Sequence, residues 1–516
     1  MIGIDRDVQK SYMLVLVILL LGFALRLINL HGRPLWYDEA FAVLYASLSP
    51  ERMVYGTVTP VQGAGAADVH PLLYYFLLHG WIGLVGRFPL AVRFLSVALG
   101  MVTVALLGRL AGWCFDRRTG LVVGILAAVN PFHVAYSQEA RMYALLGLAA
   151  VSATYGLLRA LQEEETNRRI GKAGWWALYI VGAVLTLYAH NLGASVLLAL
   201  HVLAVTRRRW WPRLPALVLA DLGVLALFSP WLVGVLPGQV GFVGRGYWLS
   251  SPRVEEVVRA VMFPVLTFYE PSPMGLLGLG LFLSIAMLVL LAIRAWQVPS
   301  RAGWFLVLCW VPVLLLLLVS RWRPVYLARA LLPSALFYVV AVGWLLVRGG
   351  LPCPIHLGLV VLLVVATAGS LGNHYAYARF PRPPFDRLNA LLRTRMAPGE
   401  VVVHDSKLTF FPAHYYDPSL RQVFCPDLPG TGADTLALPT QEALGLFAAP
   451  ISQAVKTNVT GVWFVVFEQA FQEYQALGFR DPPNMVWLHA RCRAREGPFL
   501  FSDLLVYRFT RCADHK

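Results

Sequence analysis

Residues 12–30 read YMLVLVILLLGFALRLINL, and residues 31–41 continue HGRPLWYDEAF. The first stretch carries a single charged residue, Arg26. Crossing a bilayer takes about 20 mostly apolar residues, so this stretch predicts a spanning helix. It is too long for the apolar region of a cleaved signal and lacks a small-residue cleavage site. Further apolar runs follow at 88–110, 119–137, 142–161, 174–189, 190–206, 214–236, 274–293, 303–320, 327–347 and 353–372. The pattern predicts an α-helical polytopic membrane protein with about eleven transmembrane helices.

Composition agrees. The 516 residues are 58% hydrophobic and 14% charged, and mean hydropathy is +0.63. A soluble chain carries about 25% charged residues, which this one lacks for covering its surface. The formal charge is +15, from 43 Lys and Arg against 28 Asp and Glu. These arginines sit in short clusters between apolar runs, not in one basic stripe, so a nucleic-acid partner is not implied. Six cysteines without a CxxC motif argue against a disulfide scaffold and a zinc module.

Loop arginines set an orientation. Arg117 and Arg118, then Arg168, Arg169 and Lys172, then Arg207, Arg208, Arg209 and Arg213, then Arg294 and Arg301, and finally Arg348 follow alternate runs. They belong on one side, read as the cytoplasm together with the N-terminal Arg6 and Lys10. The chain then divides into a transmembrane module, 1–373, and a small extracytoplasmic α/β domain, 374–516. The latter contains β-like runs at Val401–His404, 462–467 and 504–509. Long outer loops are expected at 31–87 and 235–273. Residues 70–86 (HPLLYYFLLHGWIGLVG) would reverse every later arginine cluster if they crossed the membrane. They are therefore read as an interfacial helix, as are residues 252–265.

The candidate chemistry lies on the outer side. Asp38 and Glu39 lie a few residues beyond the first run. Asp38 is read either as a general base or as the cap of a helix starting at Glu39. The turn after the third run holds Tyr136, Glu139, Arg141 and Tyr143, where Arg141 pairs with Glu139 or binds a phosphate. Arg321, Arg323 and Arg329 cluster at an outer helix end, against the positive-inside tendency. Capture of a lipid phosphate explains them, with snorkelling as the bland alternative. Arg26 has the same two readings, with snorkelling preferred. His190 is a weaker candidate at another outer turn, and Asp221 is read as structural. No P-loop, GxSxG or HExxH pattern is present.

Taken in order, these motifs carry a resemblance. An arginine late in the first run is followed by WYDEA, then HPLLYYFLLHGW, then Arg93-Phe94-Leu95-Ser96. NPFHVAYSQEARMYAL, YAHNLGASVLL and ARALLP complete the series. The set resembles the bacterial relatives of the dolichyl-phosphate-mannose–protein mannosyltransferases, which include the lipid A aminoarabinose transferases. These are integral-membrane glycosyltransferases of the GT-C class. The resemblance covers roughly 12–350. It implies inverting transfer from a polyprenyl-phosphate sugar to an acceptor at the outer face of the plasma membrane. Asp38 and Glu39 match the family's acidic motif, His70 its HPP-type motif with Leu72 in place of the second proline, and Arg329 its RYLLP-type motif with Ala330 in place of tyrosine. Arg329, Arg141 and Arg323 are thereby expected to hold the donor phosphate. The acceptor (lipid, glycan or protein) is not specified. A divalent metal belongs to some relatives, yet no ligand set for one is legible here. The rival class is a transporter or flippase of a lipid-linked substrate. It calls for polar residues near the bilayer midplane and a repeat architecture, whereas the polar residues here concentrate at the outer face.

Overall fold

The computed structural model describes residues 6–61, 70–162, 171–243, 252–262, 272–298, 300–428, 431, 435–455 and 459–512. Arg168, Arg169 and part of the loop 235–273 lie outside them. Two compact units are present. The first comprises 1–30, 93–234 and 251–377, and the second 31–92, 235–250 and 378–516.

The first unit is helical. Among the described residues, seven helices are long and apolar enough to cross a membrane: Pro89–Cys114, Tyr143–Leu161, Arg208–Gly234, Met274–Gln297, Ala302–Val319, Ala328–Arg348 and Cys353–Ala376. Arg117–Val129 and Pro131–Ser137 form an eighth candidate bent by 59°. Shorter apolar helices occupy Tyr12–Leu27, Ala173–Ala189 and Asn191–Thr206. Helices are obligatory here because hydrocarbon offers the backbone no hydrogen-bond partner. Where two of them cross, small residues let the backbones touch. A Cβ on Gly120 would lie 2.7 Å from the Gly108 carbonyl oxygen and 2.9 Å from the Gly112 Cα.

The bend follows from Asn130-Pro131. Proline cannot donate to the preceding turn, so the helix stops. Asn130 then restarts it: its side-chain oxygen accepts from the His133 amide at 2.9 Å. Arg26 neither snorkels nor faces a headgroup. It is fully buried and donates to the Gly22 and Ala128 carbonyls at 2.9 and 3.0 Å, with His133 Nδ1 at 3.0 Å. A buried guanidinium must find acceptors internally; the bent helix supplies Ala128 and His133, and its own helix supplies Gly22. Asp221, read as structural, is engaged by two side chains. It accepts from Tyr179 Oη at 2.6 Å and lies 2.8 Å from His201 Nε2.

The second unit is built on a five-stranded sheet: β1 (Val401–His404), β2 (Gln422–Phe424), β3 (Gly461–Phe467), β4 (Cys492–Phe501) and β5 (Leu504–Cys512). The order is β2-β1-β3-β5-β4, with β1 parallel to β2 and β3 and the remaining pairs antiparallel. β1 and β3 are buried on both faces, which explains their unbroken apolar sequences. Alternate residues serve opposite layers: Val401, Val403, Val462 and Phe464 one, and Val402, Trp463 and Val465 the other. Glu400 is buried just ahead of β1 and fully engaged. It accepts from Trp463 Nε1 at 2.7 Å and from Arg508 at 2.7 and 3.0 Å. The sequence reading anticipated β1, β3 and β5 but not β2 or β4. It also missed the Cys492–Cys512 disulfide, which joins β4 to β5.

At the end of β1 two adjacent buried groups shift in ways that oppose each other. Burial holds His404 at about 3, below the usual imidazole value, and lifts the Asp405 carboxyl to about 6. His404 therefore costs stability as pH falls from about 6.5 towards 3, because only the unfolded imidazole gains a proton. Asp405 does the reverse between about 6 and 4, because the folded carboxyl holds its proton more tightly. The apparent melting temperature, as variant minus wild type, should rise on acidification for His404→Gln and fall for Asp405→Asn. The underlying stability changes should be on the order of 4–5 kcal/mol for His404 and 2–3 kcal/mol for Asp405 across their windows. Parallel pH profiles for the two variants would contradict this assignment.

Candidate functional site

The acidic motif belongs to the second unit. Helix Tyr37–Ala46 starts two residues before the sequence reading placed it: Trp36 is its N-cap, and no side-chain cap hydrogen bond is formed there. Asp38 and Glu39 are thus both in the first helical turn, and the capping role considered for Asp38 does not arise. Acidic side chains there are favoured by the positive end of the helix dipole. The two carboxylates have different surroundings. Glu39 is fully buried and accepts from Arg382 Nη1 at 2.7 Å, in an ion pair whose side chains are 0% and 3% exposed. The Arg382 guanidinium also lies 5.6 Å from the centre of the Trp36 ring. Asp38 is buried less completely, at 8% exposure.

This helix is held by aromatic packing. Phe41 stacks on Tyr45 at 5.3 Å, and Tyr45 meets Tyr75 edge-on at 5.2 Å. Phe411 meets both Tyr37 and Phe41, at 5.7 and 5.6 Å. Tyr45 Oη donates to the Met53 carbonyl at 2.7 Å. Further along, the Leu35 amide donates to Tyr416 Oη at 2.9 Å. The early loop is therefore fixed by residues nearly four hundred positions later. Arg382, Phe411 and Tyr416 carry no functional motif, so nothing in the sequence pointed to them. His70 is half-buried in the same unit, ahead of helix Leu73–Val85. That helix has 13 residues and spans about 20 Å, short of a bilayer core. His79 and Trp81 tie it down through contacts at 2.8 Å to the Ala46 and Ala91 carbonyls.

The first unit gathers a second group. The turn after the bent helix buries Tyr136, Glu139, Arg141 and Tyr143. Tyr136 meets Tyr143 edge-on at 5.1 Å, and the buried His190 ring lies 6.1 Å from Tyr143. The Arg329 guanidinium sits 5.5 Å from the centre of the Tyr143 ring. Four sequence candidates, Tyr136, Tyr143, His190 and Arg329, are thus in one cluster. Arg323 is exposed, and no ring contact or hydrogen bond of its side chain joins it to that cluster.

The neighbouring backbone is braced by groups that the sequence reading did not single out. Gln138 donates to the Arg26 and Ile28 carbonyls at 3.0 and 2.9 Å, and its side-chain oxygen lies 2.8 Å from His374 Nε2. Arg93 donates to the Leu30 carbonyl at 2.8 Å. Stacked cations and buried tyrosine hydroxyls suit an oxyanion such as a phosphate. Among the described residues no group of three His, Cys, Asp or Glu side chains is placed to hold a metal ion.

Residues 69–233 match the family model described as dolichyl-phosphate-mannose-protein mannosyltransferase. No curated protein matches over the sequence. Among solved structures, the chain is similar to ArnT from Cupriavidus metallidurans in the apo state. The identity is 12%, the match covers 98% of both chains, and the TM-score is 0.64. The same protein bound to undecaprenyl phosphate gives 12% identity over 98% of this chain and 99% of that one, with a TM-score of 0.59. The archaeal oligosaccharyltransferase AglB from Archaeoglobus fulgidus, in complex with an inhibitory peptide and a dolichol-phosphate, is 11% identical. That match covers 94% of this chain and 72% of the other, with a TM-score of 0.52. At such identities the likeness is one of fold.

Proposed function

We infer that this chain is a GT-C membrane glycosyltransferase that takes its sugar from a polyprenyl-phosphate-linked donor. The observation that carries this reading is the match of residues 69–233 to the mannosyltransferase family, inside a fold shared with ArnT over nearly the whole chain. ArnT has been seen with undecaprenyl phosphate bound, and the stacked Arg329 and buried Arg141 give this chain the groups for a similar ligand.

The proposed reaction inverts the anomeric carbon. An acceptor hydroxyl attacks that carbon, the bond to the phosphate oxygen breaks, and the polyprenyl phosphate leaves with the bonding pair. Arg329 and Arg141 offset the charge that grows on the phosphate. Asp38 takes the proton from the acceptor hydroxyl. Glu39 is committed to Arg382 and acts by fixing the helix that carries Asp38.

Transfer is proposed at the outer face of the plasma membrane, with the N-terminus inside, eleven spans, and 374–516 outside. The Cys492–Cys512 disulfide supports this, since such bonds persist in oxidising compartments. Cysteines introduced at Arg208 and at the exposed Leu500, in a background lacking the exposed Cys353, should label from opposite sides. Labelling of both from one side would refute the orientation.

Incubation of the purified chain with a panel of labelled polyprenyl-phosphate sugars, followed by mass analysis, tests the activity. Release of polyprenyl phosphate with transfer of the sugar is expected. Failure to consume any member, by a chain that remains folded, would count against the donor class.

A further inference from the structure

At one end of the first unit, arginines and tryptophans from six helix ends interleave. Arg159, in the last turn of Tyr143–Leu161, lies 5.0 Å from the Trp113 ring centre and 4.4 Å from that of Trp175. Arg301 lies 5.4 Å from Trp113 and 5.6 Å from Trp304. Arg207 and Arg209 lie 6.0 and 5.5 Å from the same Trp304 ring, and Arg209 also lies 5.5 Å from Trp210. Trp304 is buried, so three guanidiniums surround one indole at the edge of the helical core.

Three like charges within 6.0 Å of one ring centre repel one another in a partly desolvated setting. Helix ends relieve part of this. Arg301 donates to the Cys114 carbonyl at 3.2 Å, at the negative end of its helix. Arg207 and Arg209 lack such relief: among the described residues their side chains form no hydrogen bond or ion pair, and Arg207 Nε is buried without a partner. The nearby carboxylate of Asp116 is occupied by Arg348 at 2.6 Å and by Thr119 at 3.0 Å. Stacking occupies the flat faces of a guanidinium and leaves its N–H edge for an oxyanion.

We propose that Arg207, Arg209 and Arg301, gathered around Trp304, bind the headgroup phosphate of an anionic phospholipid. A lipid fits better than a soluble anion. The cluster sits where apolar helices end, an indole ring prefers the bilayer interface, and basic pockets between such helix ends suit lipid headgroups. The site uses no residue assigned to glycosyl transfer and does not rest on that activity.

The test uses the full chain in detergent micelles doped with dioleoyl phosphatidylglycerol or dioleoyl phosphatidylcholine. Native mass spectrometry and melting temperature are the readouts. Phosphatidylglycerol should be retained in preference to phosphatidylcholine by on the order of 10–10²-fold and should raise the melting temperature. Arg209→Gln/Arg301→Gln should abolish that preference while melting normally in phosphatidylcholine. Arg209→Lys/Arg301→Lys should abolish most of it, because lysine keeps the charge but loses stacking and the fork. Full retention by the lysine variant would reduce the site to a diffuse charge effect and overturn it. Equal stabilisation by inorganic phosphate would make it a soluble-anion site, also against the proposal. Should the variants fail to fold, the wild-type comparison decides, and equal retention of the two lipids refutes the site.

Discussion

Arg329→Ala should fold normally yet lose about 10²–10³-fold in donor turnover, the usual cost of removing one donor aimed at developing oxyanion charge. Arg329 is half-buried and stacks on Tyr143, so its fork is pre-aimed and little ordering is required when a phosphate arrives. Arg329→Lys should fall between alanine and wild type. It restores the positive charge but neither the stack nor the paired N–H edge. Tyr143→Phe supplies the complementary control, since it keeps the ring that supports Arg329 while removing a buried hydroxyl. The loss in Arg329→Ala should appear mainly in kcat if the contact tightens as the phosphate leaves, and in KM if it only anchors the donor. Unchanged donor kinetics in a well-folded Arg329→Ala protein would remove this residue from the phosphate site.

How much of this was legible in the sequence depended on the range of the interaction. The spanning helices were legible because hydrocarbon demands long apolar runs and permits almost nothing else. β1 and β3 were legible because strands buried on both faces read as unbroken apolar stretches. β4 was not. Its sequence, CRAREGPFLF, is largely exposed, and its pairing with β5 shifts register between Glu496 and Phe499. β2 has only three residues, too few for a pattern. The first unit's cluster of Tyr136, Tyr143, His190 and Arg329 joins motifs that were each visible but whose proximity was not. The partner of Glu39 was hidden altogether. Arg382 stands 343 positions away, outside every motif of the series. Arg26 was misread for a related reason: two of its partners, Ala128 and His133, flank a bend at Asn130-Pro131 that periodicity alone does not locate.

The Glu39–Arg382 pair sharpens the test of the catalytic base. Asp38→Asn is nearly isosteric. Asp38 lies inside the first helical turn, not at the N-cap, and Asn keeps its size and polarity while forfeiting a dipole interaction of about 0.3–1 kcal/mol. Glu39→Gln is a different kind of change. It removes the carboxylate charge that faces the buried Arg382, and breaking such a pair costs about 3–5 kcal/mol. Adding Arg382→Gln should recover part of that stability, which marks Glu39 as a residue that positions its neighbour. Asp38→Asn should instead melt close to wild type, retain donor binding, and lose roughly 10²–10⁴-fold in transfer to a hydroxyl acceptor, the usual contribution of a general base. The loss should shrink sharply with an acceptor that is already anionic, such as a phosphate, because no proton then has to leave during attack. Wild-type turnover by Asp38→Asn on a hydroxyl acceptor would exclude it as the base. A comparable loss on both acceptor types would point to a role in binding rather than in proton removal.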